Sequence, residues 1–188
     1  MLVTGLCGVG KTVLLTRFEE LAREAGWTTV EAEITTNSDF GDRMANLARR
    51  AFLQLAPRDR WKERAARAAA VLRSFQVTLH PDGSVTAGFD VDPAEGLADS
   101  GHLDEDLTDV FVALGEAAQE QGAGVVFLID EVQFLGAPEF EALIAAIHKT
   151  VQRQLPITLV GAGLPQLPRR AGEAKSYAER LFKFPVIG

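Results

Sequence analysis

The chain has 188 residues, enough for one domain with a buried core. Hydrophobic residues make up 47% and charged residues 24%, a balance that excludes a disordered chain and a coiled coil. The net charge of -7 excludes nucleic-acid binding by the surface as a whole, because neutralising phosphates needs a basic face.

No apolar run approaches the ~20 residues of a membrane span, and the start MLVTGLCGVG lacks the basic region of a signal peptide. Cys7 is the only cysteine, so neither an internal disulfide nor a cysteine metal cluster can form. These features point to a reducing cytoplasm and no membrane partner. Ala, Arg, Leu and Gly are abundant, as in proteins of GC-rich bacterial genomes. Arg58, Arg60, Lys62, Arg64 and Arg67 crowd one segment, read as a solvated helix face balanced by acids elsewhere.

Leu2-Val3-Thr4 is a short strand, cut off at its front, running straight into Gly5. Lys11 to Ala25 reads as a helix with Val13, Leu14, Leu15, Phe18 and Leu21 on its apolar face, ended by Gly26. Trp27 to Thr35 alternates Val30, Ala32 and Ile34 against Thr29, Glu31 and Glu33, a strand pattern. Asn37, Ser38 or Asp39 caps the next helix, which carries Met44, Leu47, Phe52 and Leu55.

Pro57 opens an Arg- and Ala-rich helix to about Leu72. Residues 76–91 read as a β-hairpin insertion: Gln76 to Leu79, a turn at Pro81-Asp82-Gly83, then Ser84 to Val91. Asp92 to His102 is polar and reads as a surface loop, and Leu103 to Gln121 as a helix. Val125 to Ile129 is a continuous apolar run between glycine and acid, which suits a central parallel strand. Pro138 starts a helix to about Arg153 with Phe140, Leu143, Ile144 and Ile147 inward. Ile157 to Val160 is a buried strand running into Gly161-Ala162-Gly163, and Phe182 to Ile187 a last short one. Strands alternating with helices imply a parallel sheet covered on both faces, a three-layer α/β/α sandwich.

Two segments carry chemistry. Gly5-Leu6-Cys7-Gly8-Val9-Gly10-Lys11-Thr12 matches G-x-x-x-x-G-K-[ST] and sits between a strand and a helix, where a phosphate loop belongs. Its glycines let backbone N–H groups turn inward onto phosphates, and the helix dipole points the same way. Gly5, Gly8, Val9, Gly10, Lys11, Thr12 and Val13 are therefore the expected nucleotide contacts, with Lys11 on the β- and γ-phosphates and Thr12 on Mg²⁺. Val125 to Glu131 delivers Asp130 at the carboxyl end of a buried strand, where open α/β sheets bind ligands. Asp130 would hold Mg²⁺ through water, and Glu131 would orient or deprotonate the attacking water. Cys7 lies where a helix N-terminus can activate a thiol, and reads more simply as a small residue at a variable loop position. His80, His102 and His148 have no metal-ligand spacing, and Trp27 and Trp61 read as packing residues.

GLCGVGKT paired with VVFLIDE resembles the Walker A and Walker B motifs of the AAA+ superfamily. The resemblance is strongest to its initiator-like and STAND-like prokaryotic branch, through GLCGVGKTVLL, FLIDEVQFL, ITLVGAGLPQL and YAERLFKFPVIG. It implies ATP as ligand, Mg²⁺ as cofactor, and a parallel sheet of order 5-1-4-3-2, with the Ile157 strand between the Leu2 and Val125 strands. It implies a polar sensor residue after Walker B, where this chain has Val160-Gly161-Ala162-Gly163. It also makes Arg180 the match for an arginine finger that reaches a neighbouring subunit's ATP, hence self-association. The resemblance further suggests that residues 1–188 are a core truncated at its first strand and before the C-terminal lid, with a DNA or protein client elsewhere. Hydrolysis driving a conformational switch is the resulting expectation. A P-loop kinase and a nucleotide-gated switch that barely hydrolyses are its alternatives.

Overall fold

A computed structural model describes residues 1–6, 8–36, 39–56, 62–82 and 91–188. Four parallel strands form the sheet: β1 (Leu2–Thr4), β2 (Thr28–Glu33), β3 (Val125–Asp130) and β4 (Ile157–Gly163). Their order is β1-β4-β3-β2, so the Ile157 strand does lie between the Leu2 and Val125 strands. The expected fifth strand, Phe182 to Ile187, is reduced to one isolated parallel bridge between Thr4 and Val186. Backbone bonds still hold that segment along β1: Leu2 N–H to Lys183 O and Thr4 N–H to Pro185 O, both 2.9 Å, and Ile187 N–H to Thr4 O at 2.8 Å. Pro185 has no N–H to extend a ladder outward, which suits it to this edge.

Seven helices surround the sheet among the described residues: α1 (Lys11–Glu24), α2 (Phe40–Leu55), α3 (Glu63–Leu79), α4 (Leu103–Gln121), α5 (Ala137–Gln152), α6 (Leu167–Ala174) and α7 (Ala178–Leu181). The layers are unequal. Side chains alternate along a strand, so Val126 and Leu128 of β3 and Val160 and Ala162 of β4 face Leu15 of α1 in a small cluster. Val125, Phe127 and Ile129 face the opposite way, into a larger core with α2, α3, α4 and α5. There Phe127 stacks on Phe111 of α4 at 4.6 Å between ring centroids. Each such fully buried aromatic is stabilised by roughly 1.5–3 kcal/mol relative to exposure. None of these helices is long and apolar enough to cross a membrane.

Local signals behave as the chain reads at most boundaries. Gly26 (φ 77°) ends α1, with Gly26 N–H on Arg23 O and Trp27 N–H on Ala22 O, each at 2.9 Å. Asp39 caps α2 by accepting Asp42 N–H at 3.0 Å. Trp27 packs, its ring so close to Gly124 that a Cβ there would lie 2.4 Å away. Arg64 bonds Gln119 at 3.0 Å and Arg67 pairs with Glu116 at 4.0 Å, so this part of the basic segment is balanced by α4. Arg58, Arg60 and Trp61 lie outside the described residues, as do Asn37 and Ser38.

Three expectations are corrected. Val13 and Leu21 do not join the apolar face of α1, being 74% and 45% exposed; a helix lying alone on a narrow sheet buries only one stripe. Gln76 to Leu79 is not a hairpin strand but the last turn of α3. Its Val and Thr favour strands, yet Ala65, Ala68, Leu72, Phe75 and Gln76 are buried at helical spacing. Leu79 closes on Gly41 of α2, where a Cβ would lie 2.9 Å from Leu79 Cδ2, so tertiary packing overrides propensity. The remainder of the supposed hairpin, 83–90, lies outside the described residues. The segment 92–102 is tied down rather than a free surface loop, for Ala98 is buried and donates its N–H to Asp109 at 3.0 Å.

Asp106 anchors the same segment. It is buried, and accepts the N–H groups of Ser100 at 2.9 Å and Gly101 at 3.0 Å and the Ser100 hydroxyl at 2.8 Å. Asp106→Ala orphans these donors and is expected to destabilise the fold by about 2–4 kcal/mol. Thermal unfolding by circular dichroism should show Tm falling by roughly 5–15 °C; an unchanged Tm would remove Asp106 as the anchor.

Candidate functional site

The loop between β1 and α1 is shaped by what its glycines permit. Gly5 lies against the 182–187 segment, where a Cβ would sit 2.6 Å from the Ile187 carbonyl. Gly8 (φ 82°) and Gly10 (φ 90°) adopt left-handed backbone in open space, a conformation costly for side-chain-bearing residues. Gly10 caps α1 without any side-chain bond, and no acidic residue occupies the first turn. That leaves the positive end of the helix free for an anion. Lys11 is 7% exposed, and its ammonium donates to the carbonyls of Gly5 at 3.0 Å and Leu6 at 2.8 Å. Among the described residues the ammonium is held by its own loop's carbonyls, neutral partners that it can exchange for phosphate oxygens.

The carboxyl end of β3 meets this loop across the sheet. Thr12 Oγ1 donates to Asp130 Oδ2 at 2.7 Å, joining residues far apart in the chain. Asp130 Oδ1 accepts the Glu131 N–H at 2.8 Å. Glu131 itself has left-handed backbone, φ 56° and ψ 37°, strained for a non-glycine residue and of the kind that gathers at functional sites. It opens a short 3-10 turn, Val132–Phe134. A cleft of about 300 Å³ lies beside the pair, lined by Thr12, Leu15, Thr16, Glu31, Glu33 and Asp130 among others. Thr12 and Asp130 offer a hydroxyl and a carboxylate, hard oxygen donors suited to Mg²⁺, which keeps waters and substrate oxygens for its remaining positions. No group of three or more His, Cys, Asp or Glu with metal-holding geometry occurs among the described residues.

Residues 1–160 match the family model of the AAA ATPase domain. The chain belongs to the AAA ATPase family. Solved structures with the same architecture include the Cdc6p protein of Pyrobaculum aerophilum, at TM-score 0.58 and 14% identity over 100% of this chain and 38% of that one. The ORC2 protein of Aeropyrum pernix, solved as ADPNP and ADP complexes, matches at TM-score 0.52 and 14% identity over 99% of this chain and 40% of that one. Identity at this level establishes the fold alone, and the chain spans about two-fifths of these proteins' length. No curated protein matches it significantly.

Within this AAA ATPase domain the structure brings Lys11, Thr12, Asp130 and Glu131 to one end of the sheet. Gly5, Gly8, Val9 and Gly10 lie in the loop that leads there, and Val13 stands exposed in the first turn of α1. Arg180 is separate from them, exposed on α7. Cys7 lies outside the described residues. The three histidines have structural surroundings: His80 contacts Asp42, His102 precedes α4, and His148 stacks on Tyr177 at 4.1 Å.

Sequence reading missed three residues. Glu33 pairs in register with Asp130 and lines the cleft; its place in the polar half of the β2 alternation was the available signal. Gln133 bonds the Glu131 carboxylate through its amide, and Arg170 bonds the carbonyls of Gln133 and Leu135. Nothing in the spacing marks Arg170, because its partners lie on another element.

The left-handed glycines give a test of the loop. Gly10→Ala meets no clash, so its cost, about 1–2 kcal/mol, should come from backbone conformation alone. Gly10→Asn, which tolerates that region, should cost less. Melting temperatures of the two variants check this, and equal losses would contradict a conformational origin.

Proposed function

We propose that this AAA ATPase domain binds ATP with Mg²⁺ at the Gly5–Val13 segment and hydrolyses it to drive a conformational switch in a larger protein. The observation that carries the reading is the 2.7 Å bond between Thr12 and Asp130. It unites a phosphate-binding helix terminus with a carboxylate and sets Glu131 beside them. The acidic wall supports it further. Glu31, Glu33 and Asp130 line the cleft and would repel a bare polyphosphate, but they suit one that carries a divalent cation. The ADPNP and ADP complexes of the Aeropyrum pernix ORC2 protein agree with a nucleotide ligand.

In this mechanism the Lys11 ammonium leaves the Gly5 and Leu6 carbonyls for β- and γ-phosphate oxygens. Backbone N–H groups at the start of α1, Val13 included, face the phosphates. Thr12, and Asp130 through water, would hold Mg²⁺, which when bound would neutralise phosphate charge. Glu131 accepts a proton from water as its oxygen attacks the γ-phosphorus. The bond to the β,γ-bridging oxygen then breaks, releasing ADP and phosphate. Arg180 acts in trans on the ATP of a neighbouring copy, where such an arginine is worth about 10³–10⁵ in rate. A slow nucleotide-gated switch is the second reading, favoured because the carboxyl end of β4, Gly161-Ala162-Gly163, bears no polar side chain.

Three variants test the assignment. Lys11→Ala should weaken ATP binding at least about 100-fold by titration calorimetry, having lost the ammonium from two phosphate contacts. Glu131→Gln should bind ATP as the wild type does but lose phosphate release by about 10²–10⁴, whereas Asp130→Asn should weaken the Mg²⁺ dependence. Phosphate released without any acceptor separates hydrolysis from kinase chemistry. Wild-type turnover in Glu131→Gln would refute the mechanism.

The role of Arg180 predicts that specific activity rises with protein concentration and falls when Arg180→Ala subunits are mixed in. Brisk, concentration-independent turnover would show that no neighbour is needed.

A further inference from the structure

We propose that Gln133 is a positioning residue for hydrolysis, its amide fixing the Glu131 carboxylate to the carboxyl end of β4. The amide is a two-sided connector. Its Nε2 donates to Glu131 Oε2, and its Oε1 accepts the backbone N–H of Leu164, the residue after β4, at 3.1 Å. A glutamine amide offers both roles, donor to a carboxylate through its nitrogen and acceptor from a peptide N–H through its oxygen.

The surroundings hold the amide in place. Arg170 of α6 clasps the 3-10 turn, donating to the Gln133 carbonyl and to the Leu135 carbonyl at 2.6 Å, while its guanidinium lies 5.9 Å from the Phe140 ring centroid. Val132, at the start of the turn, is 1% exposed. The end of β4 is bare where the amide lies: a Cβ on Gly163 would fall 2.5 Å from Gln133 Oε1 and 2.7 Å from Leu167 Cδ1. No side chain from β4 can occupy that space, so Gln133 supplies the polar group there, reaching across from β3.

Glu131 needs such support. Its left-handed backbone at φ 56° is a conformation that persists only when neighbours over-determine it. With Oε2 engaged by Gln133, Oε1 is left to take the proton from water. A base held in this way reacts without first being reoriented.

The inference rests on the reading of Glu131 as the base, and the test separates the two. Steady-state phosphate release and ATP affinity are measured for wild type, Gln133→Met, Gln133→Glu and Glu131→Gln, with melting temperature alongside. Gln133→Met keeps length and volume but makes neither bond. Its kcat should fall about 10- to 100-fold with KM for ATP near wild type, while Tm falls only by the few degrees that orphaning the Leu164 N–H costs. Gln133→Glu keeps the acceptor for Leu164 but sets a second carboxylate against Glu131, and should lose at least as much. Turnover of Gln133→Met at or above the wild-type rate would overturn the proposal. So would a loss of ATP affinity as large as the loss of rate, which would mark a structural role only. A silent Glu131→Gln beside a normal Gln133→Met removes this inference and leaves the functional reading standing. An active Glu131→Gln, or a wild type without turnover, removes both.

Discussion

The site depends on one constraint: β4 must lie between β1 and β3 in a parallel sheet. Parallel strands present their carboxyl ends on one edge, so the loop after β1 and the acids after β3 emerge side by side. The distance between them is then set by the width of one intervening strand. That width lets Thr12 at the start of α1 touch Asp130 directly.

The unequal layers serve the same end. One helix, α1, covers the face bearing Val126, Leu128, Val160 and Ala162, while helices α2 to α7 all contribute buried residues to the main core on the other. Stability therefore resides largely in the thick layer, where Phe52, Phe75, Phe111 and Phe127 are fully buried. The thin layer leaves the first turn of α1 open to solvent, with Thr12 and Val13 exposed. A ligand can approach the helix terminus because so little is packed around it.

Close approach at the carboxyl edge is achieved by omitting side chains. Gly5 lets the loop between β1 and α1 pass beneath the 182–187 segment, Gly161 admits Leu2 and Val132, and Gly163 admits Gln133 and Leu167. Each would clash if it carried a Cβ. The polar group at the end of β4 thus comes from the turn after β3, through Gln133 and its bond to Leu164 N–H.

The sequence by itself determined the residues whose chemistry is local. The glycine spacing of Gly5 to Lys11 dictates a loop that can turn its N–H groups inward, and the apolar run before Asp130 dictates a buried strand with an acid at its end. These patterns are short, and the backbone conformations they require admit few alternatives. Boundaries set by caps, such as Asp39 and Gly26, were legible for the same reason. The tertiary structure alone decided what depends on partners distant in the chain. Gln76 to Leu79 became helix because α2 offered Gly41 as a place to pack, although its residues favour strand. Val13 and Leu21 stayed exposed because α1 meets the sheet with a single stripe. Phe182 to Ile187 settled along β1 by backbone bonds without forming a full strand. Gln133 and Arg170 carry no signature in the sequence, since a hydrogen bond is specified by where two groups meet, and only the packing of α6 against the β3 turn brings them together.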